Sequence, residues 1–95
     1  MIKANGNVDT SLLTYACQIL IPFEDVLFSF PEGEMEGLAE PEKGYDGAEV
    51  GFITDDGETF YVYARWGIAR LACRNGWHNP RMAEFKRFIE SKVGN

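Results

Sequence analysis

The chain is short of most things that would name an activity. Its 95 residues include two cysteines and one histidine. Cys17 and Cys73 lie 56 positions apart and form neither a CxxC pair nor a disulfide framework, so both are read as small buried hydrophobes. No GxGxxG follows a strand, and no GK[ST], HExxH or EF-hand loop occurs. The acids of "DGAEVGFITDDGE" lack calcium-loop spacing. No signal pattern opens the chain, and no apolar run approaches the roughly 18 residues of a membrane span. These gaps lead to the expectation of a non-enzyme in the cytoplasm, with no cofactor and no metal. Internal repeats are missing too. The length suits one small domain over residues 1–95.

Positive charge is scarce in the first part of the chain. Residues 1–58 hold thirteen acids against two lysines, a net of −11; residues 59–95 hold two acids against seven Lys and Arg, a net of +5. The sum is −6. Such an excess argues against binding to DNA or to an anionic membrane. The acids concentrate in "PEGEMEGLAEPEKGYDGAE", Pro31–Glu49, where Glu32, Glu34, Glu36, Glu40, Glu42, Asp46 and Glu49 share nineteen positions with four Gly and two Pro. Gly and Pro break regular structure, so a long acidic surface loop is expected at about 31–48.

What is plentiful is aromatic: seven Phe, four Tyr and two Trp, enough to fill a small core without staples. The clearest local signal is a hairpin, "EVGFIT" and "ETFYVYA" joined at Asp55-Asp56-Gly57, with Gly57 in the left-handed position. Val50 and Phe52 share one face of the first strand. Phe60, Val62 and Ala64 share one face of the second, with Tyr61 and Tyr63 on the other. Neither face is plainly polar, so both need partial cover. Residues 68–72 read either as a strand that extends the sheet after a turn near Trp66-Gly67 or as a helix with Ile68, Leu71 and Ala72 on one face and Asn75-Gly76 as its C-cap; Gly67 disfavours the helix, and the strand is preferred. At the C-terminal end Asn79 caps a helix with Pro80 at its first position, running to about Lys92. Met82, Phe85, Ile89 and Val93 form its apolar stripe, with Phe88 beside it.

Two earlier segments are read with less guidance. Leu12, Ala16, Ile19 and Phe23 recur at helical spacing behind the N-cap candidates Asp9, Thr10 and Ser11, so an N-terminal helix is expected, ended by Pro22. "VLFSF", Val26 to Phe30, reads as a short strand stopped by Pro31. The expected fold is α+β: a small antiparallel sheet of three or four strands, with an N-terminal and a C-terminal helix packed on one face.

One constellation is present. Tyr61, Tyr63, Arg65, Trp66, Arg70, Arg74, Trp77 and His78 lie within eighteen positions. Arginine interleaved with aromatics is the composition of protein-interface hot spots, and also of single-strand nucleic-acid grips. The bland reading makes the aromatics core and the arginines a solvated rim. The functional expectation is a small protein-interaction module whose partner is another protein or a second copy of the chain, docked on the aromatic hairpin face, with direct nucleic-acid binding and membrane binding disfavoured. Two alternatives stand beside it. The acidic stretch could imitate a phosphate backbone and occupy the basic groove of a nucleic-acid enzyme. Or it could act as a lid over a ligand pocket contacted by Arg65, Arg70 and His78.

Overall fold

A computed structural model describes residues 1–30 and 49–94. The protein is α+β, built on one five-stranded, fully antiparallel sheet. The strands are β1 (Ile2–Ala4), β2 (Leu13–Pro22), β3 (Glu49–Thr54), β4 (Thr59–Arg65) and β5 (Ile68–Arg74). Their spatial order is β1-β3-β4-β5-β2. Two helices, α1 (Phe23–Ser29) and α2 (Met82–Val93), share a core with one face of this sheet.

The central hairpin forms as its sequence predicts. Val50, Phe52, Phe60, Val62 and Ala64 are buried on the helix side, joined by Ala69, Leu71 and Cys73 of β5. Gly57 takes φ +88° in the connecting loop. The buried Thr54 hydroxyl donates to Asp56 Oδ1 and accepts from the Glu58 amide at 2.9 Å, closing the loop from inside. A series of phenyl rings then carries the core outward from the sheet. Phe85 of α2 stacks on Phe60 at 4.3 Å, Phe60 on Phe52 at 5.0 Å, and Phe30 meets Phe52 edge-on at 4.9 Å. Each such ring pair adds about 1 kcal/mol beyond its area burial. Helix α2 starts two residues later than expected: Asn79 Oδ1 accepts from the Arg81 amide at 2.7 Å, and Met82 opens the helix.

Two segments differ from their sequence reading. Residues 13–22 are a strand rather than a helix. β2 carries register irregularities between Tyr15 and Cys17 and between Gln18 and Pro22. Extra residues at these points turn the inward period of two into three, so Ala16 and Ile19 are both buried in the core and imitate a helical stripe. Residues 23–29 are a helix rather than part of a strand. Phe23, Val26 and Phe30 are buried at helical spacing, and Glu24 and Asp25 complement the positive end of the helix. β1 and β2 together raise the sheet to five strands.

The topology imposes a crossing. β1 ends at one edge of the sheet and β2 begins at the other. Residues 5–12 make the connection over the face away from the helices, and this crossing strap lies close on β3. The Asn5 amide donates to the Gly51 carbonyl at 2.8 Å. A Cβ on Gly51 would stand 2.7 Å from the Asn5 carbonyl oxygen and 2.8 Å from Val8 Cγ2. The strap ends in a 3-10 turn, Thr10–Leu12, where Asp9 accepts from the Ser11 amide and hydroxyl.

Gly51→Ala should therefore lower the unfolding free energy by about 1–3 kcal/mol, read as a lower urea midpoint. A second expectation concerns Arg81, which bridges Asp56 of the hairpin loop (2.8 Å) and Glu84 of α2 (2.9 Å). The Thr54 hydroxyl and then the Arg81 guanidinium hold Asp56 below its ordinary 3.8, and Arg81 holds Glu84 below its ordinary 4.5. Both folded values lie below the unfolded ones. The contribution is thus complete above about pH 4.5 and fades as pH falls through the folded values. Arg81→Met should flatten this part of the stability profile in acid unfolding followed by circular dichroism.

Candidate functional site

The strand registers place a mixed row of side chains on the face away from the helices. Glu49 opposes Tyr63, Tyr63 opposes Arg70, and Arg70 opposes Gln18, across β3, β4, β5 and β2. The neighbouring row is Gly51, Tyr61, Ala72 and Tyr15. The strap crosses at this second row. Asn5, Gly6, Val8 and Thr10 face Glu49, Gly51 and Tyr61 across a small hollow of about 30 Å³. The face is thus divided. Tyr63, Arg65, Arg70 and Gln18, with Ile68, lie on the Trp66 side of the crossing.

Local geometry ties these side chains together. The Tyr61 and Tyr63 rings are 5.4 Å apart. The Arg65 guanidinium lies 5.4 Å from the Tyr63 ring and that of Arg70 lies 5.7 Å from the Tyr15 ring, both within cation–π range. Neither arginine makes an ion pair among the described residues, and the buried Nε of Arg70 has no hydrogen-bond partner there. Among the described residues, two cations therefore sit on a tyrosine floor without ion-pair partners, in a chain whose net charge is −6. Burial raises both phenols above their ordinary 10.0. Glu49 pushes Tyr61 further in the same direction, whereas Arg70 and Arg65 pull Tyr63 back.

The sequence-predicted constellation divides in space. Tyr61, Tyr63, Arg65 and Arg70 share the face away from the helices, Tyr61 at the strap and the other three beyond it, and Trp66 forms the β4–β5 turn at its end. Trp77 and His78 follow β5 at the opposite end, about 20 Å away along the strand. There both are exposed, with their rings tilted against one another at 3.8 Å. Tyr15 and Gln18 join the face from β2, a contribution hidden by the helical reading of that segment. Glu32, Glu34, Glu36, Glu40, Glu42 and Asp46 lie outside the described residues, and with them the proposals of an acidic mimic and of a lid.

The thiols offer little nucleophilic character. Cys73 is buried, donates to the Gly76 carbonyl at 3.3 Å, and is pushed up to about 11 by burial; Cys17 is raised for the same reason. Both stay protonated at neutral pH, the reverse of an activated thiolate. A hollow of about 210 Å³ is lined by Asp56, Gly57, Glu58, Thr59 and Arg74, and a groove of about 460 Å³ by Met1, Ile2, Glu84, Arg87, Phe88 and Ser91. Neither includes Arg65, Arg70 or His78. Among the described residues no group of His, Cys, Asp and Glu is placed to hold a metal ion, and no helix is long and apolar enough to cross a membrane.

No protein-family model, curated protein or solved structure matches the chain.

Ultraviolet titration should find the Tyr61 and Tyr63 phenolates forming above the ordinary range. Arg70→Gln should raise the Tyr63 midpoint further, since it removes the neighbouring cation that most favours the phenolate. The folded values exceed the unfolded ones, so this contribution to stability is complete below about pH 10 and is lost as pH rises beyond it.

Proposed function

We propose that the protein is a non-catalytic protein-interaction module that grips an acid-bearing, extended segment of its partner on the open half of the sheet. The observation that carries this reading is the pair Arg65 and Arg70, set against Tyr63 and Tyr15 without ion-pair partners among the described residues. Tyrosine supplies broad contact area at low entropic cost, and arginine supplies forked donors for carboxylates. The Nε of Arg70, without a hydrogen-bond partner among the described residues, adds a reason for a ligand, because an acceptor brought to it would satisfy a buried donor.

Shape favours a slender occupant over a second copy. The strap stands proud of the sheet at the Gly51–Tyr61 row, next to the Tyr63–Arg70 row. A second copy laid across the whole face would have to clear the strap. A single extended chain can lie beside the strap instead.

The test uses a fluorescently labelled oligoglutamate peptide. Fluorescence anisotropy should show binding with a Kd on the order of 100 µM at low salt, against the protein's own net charge, and weaker binding as salt rises. Arg65→Glu and Arg70→Glu should each weaken it at least about tenfold. Sedimentation equilibrium on the chain alone gives the competing outcome. A dimer dissolved by Arg70→Glu, with no peptide binding, would assign the face to a second copy and overturn this reading.

A further inference from the structure

The strap carries one of the chain's two Asn-Gly pairs, Asn5-Gly6; the other is Asn75-Gly76. Asparagine before glycine exposes its side-chain amide to attack by the next backbone nitrogen. Glycine has no Cβ to obstruct the approach, and its peptide turns easily. The two pairs share this chemistry and differ in their surroundings.

At Asn5 the reacting groups are prepared. The Asn7 amide donates to Asn5 Oδ1 at 2.8 Å. A donor on that oxygen draws electron density from Cγ and stabilises the oxyanion that forms when Cγ is attacked. The attacking group is the Gly6 nitrogen and the leaving group is Asn5 Nδ2. Neither makes a hydrogen bond among the described residues. Gly6 and Asn7 form a turn, and Asn5 and Gly6 both line the hollow between the strap and β3, which gives the Gly6 peptide space to rotate. The Asn5 amide meanwhile stays fixed to the Gly51 carbonyl at 2.8 Å.

At Asn75 the same reaction is obstructed. Gly76 is buried at the start of the 3-10 turn Gly76–His78, at φ +56°. A Cβ there would stand 2.5 Å from the Tyr15 carbonyl oxygen and 2.7 Å from Thr14 Oγ1. On the other side the Asn75 carbonyl accepts from the His78 amide at 3.1 Å. The peptide between Asn75 and Gly76 is wedged and has no room to turn.

We propose that Asn5 is a site of spontaneous deamidation promoted by the fold, and that its product loosens the strap. The Gly6 nitrogen forms a bond to Asn5 Cγ and gives up its proton to solvent. Nδ2 takes a proton and leaves as ammonia, and a cyclic imide remains. Water then opens either carbonyl of the ring. One product is aspartate; the other is isoaspartate, in which the main chain runs through the former side chain. The net change is one water consumed and one ammonia released. Isoaspartate lengthens the strap by a methylene where it lies against Gly51, and the new carboxylate stands at a hollow that Glu49 also lines. Both changes oppose the close approach on which the crossing depends.

The test ages the wild-type chain in mildly alkaline buffer, folded and in urea, and follows each asparagine by peptide mapping and isoaspartate detection. Each rate is compared with that of the same residue in urea. Asn5 should react in the folded chain no more slowly than in the unfolded one. Asn75 should be slowed at least about tenfold by folding, because it must wait for local opening. The fraction bearing isoaspartate at position 5 should unfold at a lower urea midpoint than fresh protein. Protection of Asn5 by folding, or equal treatment of the two asparagines, would overturn the site. An unchanged midpoint would overturn the loosening of the strap.

Discussion

Because β1 and β2 occupy opposite edges of one sheet, the eight residues between them must travel the sheet's full width. That crossing sets much else. It cannot run through the helix side, where Phe52, Phe60 and Phe85 are packed ring on ring. It takes the other face and needs a place to lie close. Gly51 supplies that place, since any side chain there would strike Asn5 and Val8. The row it crosses, Gly51–Tyr61–Ala72–Tyr15, therefore has Ala72 buried and Tyr61 half-buried although it lies outside the main core.

The same crossing explains why the remaining surface is distinctive. An antiparallel sheet with helices on one side can leave its other face wet and polar. Here the strap covers the middle, and beyond it lie tyrosines and arginines rather than the short polar residues of an ordinary solvated face. The chain's excess of negative charge makes these two cations, without ion-pair partners among the described residues, more informative than they would be on a basic protein. Near neutrality in such a patch comes most economically from a carboxylate.

Much of the fold is legible in the sequence, and the failures have physical causes. The β3–β4 hairpin could be read because alternation and a Gly-bearing turn agree. Helix α2 could be read because Phe85 and Ile89 keep a helical period near a recognisable entry at Asn79. β2 misleads because its irregularities substitute a period of three for a period of two, so Ala16 and Ile19 look like one face of a helix. The three-residue β1 has too few residues to show any period; its pairing with β3 supplies its structure. The site was legible only along single strands. Tyr61, Tyr63, Arg65 and Arg70 could be grouped because a tight turn folds them together. Trp77 and His78 are equally close to Arg70 in sequence, but β5 carries them to the far end. Tyr15 and Gln18 enter through strand pairing between positions more than fifty residues apart, which no local pattern encodes.

The two borders of the sheet are both poor templates for another strand. β1 pairs through only three residues, and β2 is twice interrupted in register. Exposed borders with long, regular backbone invite other chains to add on, and such addition can continue without limit. The recognition proposed above uses the flat of the sheet and leaves these uneven rims out. On that proposal an encounter driven by tyrosine and arginine would end with one partner seated, without strand-by-strand addition at the borders. The irregularity that made β2 hard to recognise as a strand also makes it a poor edge for such addition.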